Sequence, residues 1–142
     1  MGDESPLIDR ASTAACPCGR ATAYDGCCGP LLRNERAADT AEELMRSRYA
    51  AYALGDVDHL FRTWHPRTRP RDLTLDPTLS WVGLEVLGAH GGGPQDAEGT
   101  VSFRARWVRQ GPHEEAGTLA EHSKFARRAG RWVYVDGDVT DA

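Results

Sequence analysis

Long apolar runs are missing from this 142-residue chain. None approaches the roughly 18 consecutive apolar residues of a membrane-crossing helix, so membrane insertion is not expected. The opening Met1-Gly-Asp-Glu-Ser-Pro6 is acidic and has no apolar core, which does not read as a secretory signal. Pro6 occupies the place where a myristoylation signal needs Ser or Thr. Lysine is nearly absent: Lys124 is the single lysine among 17 basic residues. That bias reads as the codon usage of a GC-rich genome. Net charge −4 and pI near 5.7 leave no overall nucleic-acid footprint. No helix signal follows Gly91-Gly-Gly-Pro94, so that run is a hairpin loop and not a phosphate cradle. Asp136-Gly-Asp138 has too few carboxylates for a calcium loop, and Ser123 lacks the context of a nucleophile elbow. Cysteine is absent outside one short segment, which excludes a core stapled by disulfides along its length.

That segment carries the strongest chemistry present. Cys16, Cys18, Cys27 and Cys28 follow a C-x-C-x8-C-C spacing. Four thiolates close a tetrahedral structural zinc site. Pro17 and Gly19 supply the sharp turn that a C-x-C pair needs to clasp one metal, and Gly26 and Gly29 bracket the second pair. Adjacent cysteines are badly placed to bridge each other, although cross-pairing remains open in an oxidising compartment. Four thiolates also accept iron. A cytoplasmic location, where thiols stay reduced, is expected.

Cys16-Pro-Cys-Gly through Tyr24 to Cys27-Cys-Gly29 resembles the SEC-C motif. That zinc module occurs at the C-terminus of the SecA translocase and in many bacterial proteins. The resemblance implies zinc on Cys16, Cys18, Cys27 and Cys28, with proteins as the favoured partners. Arg20-Ala21-Thr22 departs from the usual Ser-Gly-Lys, and Arg20 is placed to replace the lost charge. Arg46-Ser-Arg-Tyr-Ala-Ala-Tyr52, Thr63-Trp-His-Pro66, Trp81-x-x-Leu84, Gly99-Thr-Val-Ser-Phe103, Glu121-His-Ser-Lys-Phe125 and Trp132-Val-Tyr-Val-Asp-Gly137 follow one another as in the YchJ-like family. That similarity runs from about Cys16 to Gly137 and implies an NTF2-like domain behind the knuckle. It implies no established activity.

The organisation expected is a loose tail over 1–14, the knuckle over 15–33 and an NTF2-like domain over 34–142. Thr40-x-x-Glu43 reads as a capping box and Gly55 as a C-cap, with Ala41, Leu44, Met45, Tyr49 and Tyr52 on one face of the helix between them. Asp56 caps a second helix with Val57, Leu60, Phe61 and Trp64 in step, stopped by Pro66. Strand-like runs over 80–89, 99–109, 117–127 and 131–139 are separated by Gly- and Pro-bearing turns. Two helices followed by an antiparallel meander give an α+β fold. The family likeness makes it an NTF2-like (cystatin-like) cone of helices on a curved sheet.

Strand alternation puts Phe103 beside Val101 and Ala105, and Glu121 beside Leu119, Ser123 and Phe125, on faces that read as buried. Arg48 projects from the apolar stripe of the first helix. Charges are rarely buried alone, so Arg48 and Glu121 are expected to meet inside the cone. With Tyr52, Trp64, Trp81, Phe103, Ser123, Phe125 and Trp132 they form the candidate cavity set. The pair reads either as a structural ion pair or as the polar floor of a ligand pocket. His59, His90 and His113 read as solvated. His65 and His122 have no ligand-spaced partner, Arg67, Arg69 and Arg71 read as a solvated basic patch, and no residue is assigned a catalytic role. The leading functional expectation is a non-enzymatic adaptor using the knuckle toward a protein partner. The rivals are an enzyme or small-ligand binder working in the cone, and nucleic-acid or ribosome association through the knuckle. Dimerisation is left open.

Overall fold

The computed structural model describes residues 14–141; all but the last residue of the expected tail lies outside them. The chain opens with a single antiparallel bridge between Ala15 and Ala23, then a 3-10 turn Tyr24–Gly26. Helix α1 (Gly29–Leu32) carries Pro30 in its first turn, where the fixed φ of proline suits a helix start. The sequence pattern gave no hint of this one-turn helix, which is too short to show a period.

Helix α2 (Ala41–Leu54) begins where the capping box places it. Thr40 Oγ1 accepts from the Glu43 backbone N–H at 3.0 Å, and Glu43 Oε1 accepts from the Asp39 N–H at 2.8 Å. The reciprocal bond thus lands one residue earlier than in the standard box. Gly55 ends the helix at φ +80°, a left-handed turn that an L side chain resists. Helix α3 (Val57–Arg62) is capped by Asp56, whose Oδ1 accepts from the His59 N–H at 3.0 Å. It stops earlier than its apolar period suggests. Trp64 leaves the helix to run beside the last strand: the His65 N–H donates to Tyr134 O (2.8 Å) and the Tyr134 N–H to Thr63 O (2.7 Å).

Strands β1 (Leu79–Gly91), β2 (Glu98–Arg109), β3 (Glu115–Arg128) and β4 (Arg131–Asp141) form one antiparallel sheet in the order 1-2-3-4. Register shifts occur twice in β1 and once between β3 and β4 near Lys124 and Phe125. Such bulges bend a sheet and raise its twist, which makes this one a cup. Val101, Ala105, Phe125 and Trp132 on the concave face pack against Ala41, Leu44, Met45 and Tyr49 of α2.

Candidate metal centre and cone cavity

The backbone folds the cysteine segment around itself. The Cys16 N–H donates to Thr22 O at 2.9 Å, the Gly19 N–H to Cys16 O at 3.2 Å and the Cys27 N–H to Tyr24 O at 3.0 Å. Gly29 is required: a Cβ there would lie 2.9 Å from Tyr24 O. These turns bring the four sulfurs within 4.8 Å of one another. Cys18 and Cys27 Sγ are 3.6 Å apart, and Cys27 and Cys28 Sγ 4.0 Å. A tetrahedron with zinc–sulfur bonds of about 2.3 Å has sulfur–sulfur edges of about 3.8 Å. A disulfide needs about 2.05 Å. The donor set therefore fits a four-coordinate thiolate metal and contains no disulfide.

The electrostatics agree with the geometry. Hydrogen bonds from Cys16 and Cys28 pull the Cys18 thiol far below its usual range. The bond to Cys16 pushes Cys28 far up, and burial raises Cys27 to about 12. Sulfurs this close cannot all ionise unaided, whereas a bound cation lets them.

The segment is not a free-standing tip. Cys16, Cys18, Cys28 and Leu32 share an apolar cluster with Ala50 and Ala51 of α2 and Leu60 of α3. Arg46 clamps it from outside, with Nη1 donating to Cys18 O at 2.9 Å and Nε to Glu42 at 3.0 Å. Arg62 Nη2 donates to Leu32 O at 3.2 Å.

Between α2 and the sheet lies a cavity of about 200 Å³. Arg48, Tyr52, Trp64, Trp81, Phe103, Glu121, Ser123 and Phe125 line it. Trp132 does not. It shares the face but lies beyond the cavity's end, 2 % exposed, with its Nε1 donating to Asp39 O at 3.1 Å. Met45, Tyr49, Ala105, Leu119 and Tyr134 complete the lining. Tyr134 lies two residues from Trp132 on the same face, directly across from Phe125, and the register shift falls only after it, where Lys124 pairs with Asp136.

The expected Arg48–Glu121 ion pair is absent; Tyr134 stands between them. Arg48 is 5 % exposed, and its guanidinium lies 4.8 Å from the Trp64 ring centre and 4.6 Å from that of Tyr134. Its Nη1 donates to Leu60 O (3.0 Å) and Thr63 Oγ1 (2.7 Å). Burial lowers its pKa to about 10, so it stays cationic at neutral pH. Glu121 Oε2 accepts from Ser123 Oγ (2.7 Å) and Tyr134 OH (2.8 Å). Burial, reinforced by Glu121, raises the Tyr134 phenol, and burial raises Tyr52. The carboxylate lies over Gly137, where a Cβ would collide with it. A π-face cation partner and a phenolic hydrogen bond thus join the two charges through one ring.

His59 is a second correction, since it is 2 % exposed and not solvated. Arg62 Nη2 reaches its Nδ1 at 3.3 Å, and its Nε2 sits 2.9 Å from Ser47 Oγ, which donates to Leu44 O at 2.7 Å. Arg62 has only N–H groups, so Nδ1 accepts and Nε2 carries the proton. The chain of bonds ties α3 to α2. Burial, then Arg62 and Arg48, lowers the His59 pKa to about 4. His65 and His122 line neither the cavity nor the sulfur cluster: His65 Nδ1 accepts from the Arg67 N–H, and His122 Nδ1 meets Ser102 Oγ on the exposed sheet face.

Comparison with known proteins agrees with this architecture. The profile of the YchJ middle, NTF2-like domain matches residues 40–137. A UPF0225 protein of Streptomyces coelicolor is 49 % identical over 129 residues, covering 91 % of this chain and 98 % of its own. A UPF0225 protein of Deinococcus radiodurans is 44 % identical, covering 85 % and 86 %. The solution structure of a SEC-C motif containing protein from Rhodopseudomonas palustris superposes with a TM-score of 0.72 at 40 % identity, covering 89 % of this chain and 98 % of that one. The crystal structure of a SEC-C motif containing protein from Psychrobacter arcticus superposes at 0.68 and 25 % identity, covering 94 % and 86 %.

Proposed function

The chain belongs to the YchJ-like family, with an NTF2-like domain behind a SEC-C motif, and on that premise we propose that it is a metal-fixed binding module for a small, largely apolar molecule with a polar head. One observation carries this reading. The cone holds a cation and a carboxylate that do not pair, and each keeps hydrogen-bonding capacity in reserve. Among the described residues, Glu121 Oε1 and Arg48 Nε meet no protein partner. A purely structural pair would close on itself. The walls are aromatic, and Tyr52, Trp81, Leu119 and Glu121 are partly exposed, which leaves a way in. A cavity of about 150 Å³ takes benzene, so one of about 200 Å³ suits a single ring or a short chain.

Cys16, Cys18, Cys27 and Cys28 would hold zinc with no open position, which makes the metal structural. A reducing, cytoplasmic setting suits those thiols. The experiment is ligand-observed NMR with phenol and indole as probes. Wild type is expected to bind, and Ala105→Leu, which fills the buried floor, is expected not to. Failure of both probes, with no copurifying small molecule in native mass spectra, would reject the cone as a binding site.

A second reading uses the knuckle toward a protein partner. It is favoured by the contrast between the buried Cys16, Cys18 and Cys28 and an exposed loop from Gly19 to Ala23. Affinity capture with wild type beside Cys27→Ser/Cys28→Ser should then lose one defined partner; identical captures would exclude it.

A further inference from the structure

On the far side of Trp64 a second concavity lies between α3, the 34–38 connection and the β3–β4 hairpin. Its volume is about 410 Å³, twice that of the cone and within the roughly 300–1,000 Å³ range of small-molecule sites. Arg36, Arg62, Arg69, Arg128 and Arg131 line it, and no carboxylate does. Three of these arginines are engaged. Arg36 pairs with Glu43, Arg62 pairs with Asp58, and Arg69 stacks on Phe61 at 3.8 Å.

Arg128 and Arg131 differ. They stand opposite each other on the last rung of the β3–β4 ladder. Ala129 and Gly130, both at positive φ, make the two-residue turn that forces them together. Like charges directly opposite across a ladder are destabilising. Among the described residues no carboxylate reaches ion-pair distance of either. The positive pair lacks a counter-charge, which an anion held in the groove would supply. This concentration of cations is built into a chain of net charge −4, so global charge does not explain it.

We propose that this groove binds a phosphate-bearing small molecule of nucleotide size, with Arg128 and Arg131 taking its phosphates. Guanidinium forks match phosphate oxygens two at a time. Phe61 and Val133 offer apolar wall to the organic part. The bounded volume favours a free molecule over a strand, which would need a continuous basic track.

The test is calorimetric titration of the full, metal-replete chain with ADP at low and at physiological salt. Wild type is expected to bind, more weakly at the higher salt. Arg128→Glu gives Arg131 an internal counter-ion. It is expected to weaken ADP by about tenfold or more while leaving the unfolding temperature equal or higher. Arg128→Gln should weaken binding with the fold equally intact. Absence of ADP binding to wild type, or undiminished binding in both variants, overturns the assignment. So does displacement of ADP by an unstructured RNA at equal phosphate concentration, which would make the occupant a strand.

Discussion

Helix α2 is packed on two sides by different physics. Toward the sheet, Leu44, Met45 and Tyr49 meet Val101, Ala105, Phe125 and Trp132, large apolar groups that exclude water by themselves. Toward the front, Ala50 and Ala51 meet Cys16, Cys18, Cys28, Leu32 and Leu60. That second cluster has few large side chains, and three of its seven members are thiols. One side is held by area, and the other is arranged for the ligand bonds of the proposed metal. On that proposal, removing the metal is the largest perturbation available. Structural zinc in small modules contributes on the order of 10–16 kcal/mol of apparent binding energy. Chelation, or Cys18→Ser, is expected to release residues 15–33 and, through the shared cluster, to loosen α3 and the Ala50–Ala51 face of α2. Hydrogen exchange should rise there while β2 and β3 stay protected. Uniform loss of protection would show a single cooperative unit, and protected front residues without metal would show that the sulfurs are ordinary core.

A paired substitution sharpens the same contrast at smaller cost. Leu60→Ala in the front cluster and Phe125→Ala in the sheet core should cost about 2–5 and 3–5 kcal/mol in the metal-replete protein. After chelation the Leu60 cost is expected to shrink toward zero, because its surroundings have already opened. The Phe125 cost should persist. Denaturant melts of the four combinations read this directly, and equal persistence of both costs would merge the two regions into one.

The two sides were not equally legible in the sequence. The cysteine spacing announced the cluster because metal geometry is local: four ligands within thirteen positions specify their own turns. Thr40, Glu43, Gly55 and Asp56 marked helix ends because caps are also local. Alternation placed Phe103, Glu121, Ser123 and Phe125 on the cavity face because those strand segments keep a period of two. Tyr134 shares the face of Trp132 by the same alternation, and Trp132 was taken in its place because alternation gives a face without a position along it. The Arg48–Glu121 pairing failed for a related reason. Periodicity brings two side chains to one cavity, but the interposed Tyr134 ring belongs to a third element. His59 lay on the helix opposite the expected stripe, and only the packing of α3 on α2 buries it against Ser47.

His59 links the two regions by protonation. Its pKa is about 4 in the fold, against about 6.5 in an unfolded chain. Between those values the unfolded state binds the extra proton, so stability is full above about 6.5 and declines as pH falls toward 4. The loss amounts to about 3 kcal/mol. Arg62 and Arg48 press the value down, and Asp56 and Asp58 oppose them. His59→Gln should flatten this part of the pH–stability curve relative to wild type. Parallel curves for the two proteins would mean that other groups carry the acid sensitivity.

The smallest expected effect concerns the cone, the one part of the sheet side not closed by area alone. Glu121→Gln keeps an oxygen able to accept from Ser123 and Tyr134 but turns two charge-assisted hydrogen bonds into neutral ones. A cost of about 1 kcal/mol follows, well below that of Phe125→Ala only a few residues along the same strand. Binding of phenol should suffer more than stability does, since Oε1 is the acceptor left free for a ligand. If the melting temperature falls by as much as in Phe125→Ala and phenol affinity does not change, the carboxylate is serving the core. The cone would then belong with the area-held side of α2 without exception.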